Sequence, residues 1–258
     1  MYSSVIVCGC TKNSAGYIYT HLQKLYNMAP LFKTFKMLVY ENDSTDNTVE
    51  ILEQFKQSHP YFDYISEKLS TTIRTDVLAH GRNTLVSHTN GFEYMIMADL
   101  DEVINTFQPE QIHYLFETTE WDGILANCLG QYYDIWALRI ERDKWTPDCP
   151  FQIIDFDCWE QPNGREIVSK YQITIPTSNK LIPVTSAFGG FGIYKVNKLT
   201  GKYNGFNGKR CEHVEFNKGL NLFICPKFLL NEHSFHIQKK NEHARDIQQS
   251  TVKHVNII

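Results

Sequence analysis

Apolar residues follow two alternating rhythms over the first hundred positions. Continuous apolar runs at 5–8, 35–40 and 94–98, and a weaker one at 61–65, read as strands buried on both faces. Between them Ile18, Leu22, Leu25 and Met28 recur at spacings of three and four, and Val49, Leu52 and Phe55 do the same. A third segment of this kind covers 76–89, so three helices are expected, the second capped by Asp43 or Ser44. The resulting β-α-β-α-β-α-β order implies an α/β fold with a mainly parallel sheet flanked by helices. Such sheets place ligands at the carboxyl ends of their strands. There the sequence sets Thr11 and Asn13, then Glu41 to Asp43, then Asp99 to Glu102.

Beyond residue 105 the rhythm weakens. A helix is expected at 109–118, a strand at 123–125, and long loops with a small antiparallel extension over 142–185. Residues 187–194 read as a Gly-rich apolar turn, 222–225 and 228–230 as strand-like, and the polar tail from about 238 as helix or disorder. No repeat or linker stands out, so residues 1–258 are expected to form one domain.

Bulk properties narrow the function. The 258 residues are 42% hydrophobic and 21% charged, enough to bury a sizeable core. A net charge of -4 lacks the basic footprint of a nonspecific nucleic-acid binder. Seven cysteines without a C-x-x-C pair argue for reduced thiols rather than a zinc site. There is no signal-peptide pattern and no run of 18 apolar residues, so a cytoplasmic protein with no membrane span is expected.

The sharpest chemical feature is EYMIMADLDEV, residues 93–103. Asp99 and Asp101 lie two apart at a strand end, where both carboxylates can turn to one side. Converging carboxylates repel unless a cation lies between them, and hard oxygen ligands select Mg²⁺ or Mn²⁺. Such an ion neutralises a diphosphate leaving group. The bland alternative is a solvated turn.

The second feature is MLVYENDSTDNTVEIL, residues 37–52. Here the chain resembles the GT-A nucleotide-sugar glycosyltransferases, whose second strand ends in a similar acidic, Ser-, Asp- and Thr-containing run. The resemblance implies a Rossmann-like GT-A fold, a nucleotide-binding half at 1–105 and an acceptor-binding half at 106–240. It also implies that Glu41 accepts a hydrogen bond from the base, as a carboxylate does from uracil or guanine but not adenine. Thr11, Asn13, Asp43, Arg82, Asp99 and Leu100 complete the implied nucleotide set. Arg82 stands in Gly81-Arg82-Asn83, a near match to the family's Ala-Arg-Asn.

Three later segments sharpen the likeness: 121–139 with Asn127, the 187–194 turn, and 211–217. In this order they resemble fungal capsule-associated α-mannosyltransferases and related viral glycosyltransferases, which leaves a viral source open. The resemblance implies that Gly189 and Gly190 let backbone approach a sugar, with Asn127 and His213 nearby. It casts Glu212 as the acceptor's base or as a hydrogen-bonding partner. It further implies a late histidine, His236 or His233, as an additional metal ligand.

The expected activity is therefore metal-dependent transfer of a sugar from a UDP- or GDP-sugar to a glycan acceptor. Two rivals stand beside it. A sugar-nucleotide nucleotidyltransferase would open with a Gly-rich basic loop, but CTKNSAG carries one Lys and one Gly. A non-catalytic carbohydrate-binding protein on a decayed transferase fold sits poorly with an intact D-x-D. A P-loop kinase lacks its motif altogether.

Overall fold

The computed structural model describes residues 1–118 and 120–231. Its first part alternates as the apolar rhythm implies: β1 (Tyr2–Thr11), α1 (Ile18–Tyr26), β2 (Phe32–Asn42), α2 (Thr48–Ser58), β3 (Phe62–Glu67), α3 (Arg74–Val86) and β4 (Tyr94–Ala98). The four strands pair in parallel as β3-β2-β1-β4, with Thr11 beside Glu41 and Cys8 beside Met97. Helices cover the sheet by their apolar stripes. Ile18, Leu22 and Leu25 are buried on α1, and Leu52 and Phe55 on α2.

One boundary differs from expectation for a physical reason. α2 starts at Thr48, after Asn47, not behind Asp43 or Ser44. Asp43 instead adopts a left-handed φ of 51°, where it bends the chain out of β2. The carboxylate that serves the helix start is Asp46, which accepts from the Thr48 N–H at 3.1 Å and hydroxyl at 2.6 Å. Its other oxygen accepts from the Ala15 N–H at 3.0 Å, joining the loops after β1 and β2.

The later elements are β5 (Gly123–Cys128), α4 (Gly164–Tyr171), β6 (Ile182–Val184), β7 (Phe191–Lys195), α5 (Glu212–Asn217) and β8 (Leu222–Leu230). The segment expected as a helix near 109–118 is a 3₁₀ helix, Pro109–Phe116, preceded by another at Glu102–Thr106. The turn expected at 187–194 holds a strand. β7 runs antiparallel to β4 on one side and to β5 on the other, so a residue pair such as Ala98 and Phe191 joins the two parts of the chain. Gly192 permits this insertion, because a Cβ there would stand 2.7 Å from Tyr194 and 2.8 Å from Leu125. The full order is β3-β2-β1-β4-β7-β5-β8-β6, one mixed, mostly parallel sheet. All seven cysteines are free thiols. Among the described residues no helix is long and apolar enough to cross a membrane. The tail beyond 231, with His233 and His236, lies outside the described residues.

Candidate active site

A cavity of about 960 Å³ opens over the carboxyl ends of β1, β2 and β4, within the size range of small-molecule sites. Asp99, Leu100 and Asp101 line it, as do Thr11, Asp43, Arg82, Glu212 and His213. The two aspartates of the D-x-D thus meet in one cavity. The Asp99 N–H donates to the Gly190 carbonyl at 2.8 Å, and Asp101 accepts from the Val103 N–H at 3.0 Å to cap the 3₁₀ turn. The His21 ring braces the loop from behind, between the Leu100 carbonyl (3.1 Å) and Asn105 Oδ1 (2.9 Å).

Arg82 is the electrostatic centre. It is 4% exposed, donates through Nη2 to Asp99 Oδ1 at 3.0 Å, and donates through Nη1 to Glu212 Oε1. Its guanidinium carbon also lies 5.2 Å from the Phe188 ring centre and 5.7 Å from that of Tyr203. Burial disfavours its charge, but Glu212 and Asp99 outweigh burial and hold it protonated. Gly81 makes this placement possible: a Cβ would stand 2.5 Å from the Tyr40 ring and 3.1 Å from Cys10 Sγ. With glycine, α3 sits directly on β1 and β2, and Arg82 reaches the cavity.

Negative charge is concentrated around that arginine. Burial pushes the Asp99 carboxyl up to about 7, Arg82 opposes it, and Asp101 and Asp134 add to it. Asp134 is raised as well, chiefly by burial; the N–H of Gly189, which donates to its Oδ2 at 3.0 Å, pulls the other way. His213 is 3% exposed and lies against Phe188, with ring centres 3.9 Å apart; burial, then Arg82 and Arg74, drives its pKa well below the ordinary histidine value. It is therefore a neutral imidazole at pH 7.

Five expected site residues lie outside the cavity lining. Glu41 is 1% exposed and does not line the cavity. Its oxygens accept from the Ser44 N–H at 2.8 Å and the Ser66 hydroxyl at 2.5 Å, so it fastens the β2 loop to β3. Its neighbours Asn42 and Asp43 line the cavity instead. Asn13 is a clip: its N–H donates to Ser44 Oγ at 3.0 Å and its Oδ1 accepts from the Thr45 N–H at 2.7 Å. Asn127 is fully buried, with its amide donating to the carbonyls of Ile175 (3.3 Å) and Pro226 (3.0 Å), across the register shift between β5 and β8. Gly189 and Gly190 have φ of 66° and 82° and act through backbone. A Cβ on Gly189 would stand 2.7 Å from the Ala126 carbonyl, and one on Gly190 would collide with Val103. Missed from sequence were the cavity residues Lys12, Tyr17, Arg74, Asp134, Trp136 and Trp159.

A family model described as "Glycosyl transferase family 2" matches residues 4–195, well over half of the chain, from within β1 to the end of β7. The chain belongs to glycosyl transferase family 2. The α/β sheet with its cavity at the strand ends is that of a GT-A fold. The chain is similar in fold to the mannosyltransferase PcManGT of Pyrobaculum calidifontis, solved with GDP-Man and Mn²⁺: 14% identity over 90% of this chain and 57% of that one, TM-score 0.51. S. aureus TarS 1-349 also matches, at 15% identity over 89% of this chain and 59% of that one, TM-score 0.45. The chain thus spans under two thirds of the length of these solved proteins. No curated protein matches it.

The donor set fits a divalent cation of one kind. Among the described residues no three His, Cys, Asp or Glu side chains gather closely enough to enclose an ion. Two carboxylates in one cavity match the mode in which one or two protein oxygens share Mg²⁺ or Mn²⁺ with substrate phosphates and water.

Proposed function

We propose that this glycosyltransferase moves a sugar from a UDP- or GDP-sugar to a carbohydrate acceptor and needs Mn²⁺ or Mg²⁺ to do so. The observation that carries the reading is the meeting of Asp99, Asp101 and Arg82 in one cavity at the ends of parallel strands. Asp101 and Asp99 would hold the cation. Bound there, it would offset the charge that builds on the diphosphate as the sugar leaves.

The chain's own residues supply the rest. Asn42 and Asp43, between the loops after β1 and β3, take the base-reading role first attached to Glu41, whose carboxylate is already spent on Ser44 and Ser66. Thr11 and Lys12 border the same end of the cavity, and Lys12 adds a positive charge toward phosphate. Arg82, fixed between Glu212 and Asp99, orients Asp99 and keeps it from closing on Asp101. The acceptor hydroxyl meets Asp134 and Glu212. Glu212 is committed to Arg82, so in an inverting transfer Asp134 takes the proton; in a retaining one it orients the hydroxyl.

GDP-mannose is the first donor to test, on the resemblance to capsule-associated α-mannosyltransferases and on the GDP-Man held by PcManGT. The deciding experiment is calorimetric titration of UDP, GDP and ADP, each with Mn²⁺ and with a chelator. Metal-dependent binding of UDP or GDP supports the proposal. Binding of none of the three sinks it.

A further inference from the structure

Two of the chain's four tryptophans line the cavity, and both are held by one buried carboxylate. Asp157, 5% exposed, accepts from the Trp136 indole N–H at 2.9 and 3.1 Å and from the Trp159 backbone N–H at 2.9 Å. It also pairs with buried Arg139, whose Nη2 lies at 3.1 Å. Arg139 in turn donates to the carbonyls of Trp136 (2.9 Å) and Leu138 (2.8 Å). An ion pair out of water is costly unless its remaining bonds are made, and here those bonds are made to the two tryptophans. Gly164 leaves room for the indole of Trp159, since a Cβ there would stand 3.1 Å from its Cε3. Yet Trp159 is 47% exposed. A large aromatic surface on an anchored backbone is thus left partly exposed in the cavity.

The indoles and the expected nucleotide-binding residues come from different parts of the chain. Residues 136 and 159 follow β5, which the strand order sets across β4 and β7 from β1 and β2. Thr11 and Asp43 instead lie in the loops after β1 and β2, on the other side of β4 in the sheet order. The cavity lining also carries the carboxylates of Asp134 and Glu212. An apolar plate in a cavity that also carries hydrogen-bond acceptors suits a pyranose ring, whose C–H face packs on the plate while its hydroxyls donate to the carboxylates.

We propose that Trp159, with Trp136 beside it, forms the acceptor subsite and stacks on one pyranose ring, with Asp157 as the residue that positions both tryptophans. The proposal rests on the transferase reading above and names the acceptor's chemistry.

The test uses the full chain with Mn²⁺ and whichever of UDP or GDP binds it. Methyl α-mannopyranoside, methyl β-glucopyranoside, methyl β-galactopyranoside and methyl N-acetyl-β-glucosaminide serve as probes in saturation-transfer NMR, beside calorimetry of the nucleotide. At least one glycoside should receive saturation at its ring C–H protons. Trp159→Ala should weaken that glycoside on the order of tenfold, Trp159→Phe should restore most of the loss, and both should leave nucleotide affinity unchanged. Asp157→Asn should shift the Trp136 indole N–H resonance and weaken the same glycoside. Unaltered glycoside affinity in Trp159→Ala overturns the proposal. So does a wild-type protein that binds nucleotide but none of the four glycosides. Loss of nucleotide affinity in Trp159→Ala would assign the indole to the base and overturn it equally. Failure of the wild type to bind UDP or GDP shows in the calorimeter alone and removes the transferase reading itself.

Discussion

Arg82 and Glu212 form an ion pair with each side chain only 5% exposed, joining α3 to α5 across 130 residues of sequence. Neither charge has water to fall back on. Arg82→Ala should therefore strand Glu212 and cost about 3–5 kcal/mol of stability. Urea unfolding measures this. A loss below about 1 kcal/mol would mean that the pair is solvated in solution.

Asp101 is expected to matter through the cation rather than through the fold. Asp101→Asn should lower transfer on the order of a hundredfold and abolish the Mn²⁺ dependence of nucleotide binding, with the melting temperature nearly unchanged. Full activity at saturating Mn²⁺ would remove Asp101 from the metal site.

Glu41 and Asp43 should separate cleanly. Glu41→Ala leaves the Ser44 N–H and Ser66 hydroxyl without their partner and should cost about 1.5–3 kcal/mol of stability. Asp43→Ala should instead weaken nucleotide binding about tenfold. Nucleotide calorimetry on the two variants decides which carboxylate faces the base. Equal losses from both would return the role to Glu41.

His213 gives the protein a pH signature. Its folded pKa is held well below the unfolded value, chiefly by burial. Below an unfolded pKa near 6.5 the unfolded chain binds a proton that the folded chain refuses, so this contribution is complete above about pH 6.5 and is lost as pH falls. The limiting slope is about 1.4 kcal/mol per pH unit. Urea titrations of wild type and His213→Gln between pH 7.5 and 5.5 isolate it. Parallel curves would show that the imidazole is already solvated in the folded protein.

Gly81 reports on packing. Gly81→Ala drives a methyl into the Tyr40 ring and should cost about 1–3 kcal/mol, with Arg82 displaced from Asp99. Thermal melting measures the first effect, and loss of Mn²⁺-dependent nucleotide affinity the second. An unchanged melting temperature would mean that α3 can lift off β2 at no cost.

The sequence was most readable where local pattern and tertiary role coincide. The runs at 5–8, 35–40 and 94–98 are apolar because both faces of β1, β2 and β4 are covered, and Asp99 and Asp101 follow such a run directly. β7 was hidden because its first residues follow two glycines and its core includes Gly192, features that imitate a turn. Glu41 is ambiguous in sequence because a carboxylate after a strand looks alike whether it faces a ligand or ties down a loop; its bond to Ser66, on another strand, is visible only in the fold. Asp134, Trp136 and Trp159 come from a stretch with no periodicity, and nothing local marks which of its polar and aromatic residues converge on the cavity.

The place of β7 has a consequence for how the protein is made. While only residues 1–105 exist, β4 is the outer strand of a parallel sheet, and its open edge carries Met95, Ile96 and Met97, all fully buried in the finished molecule. The strand that closes that edge is not complete until residue 195. For some ninety residues of synthesis, counted between those two points, the nascent chain offers a ready template for wrong pairing. Severed at 105, the half that reads as a nucleotide-binding unit would leave the β4 edge without the strand that covers it.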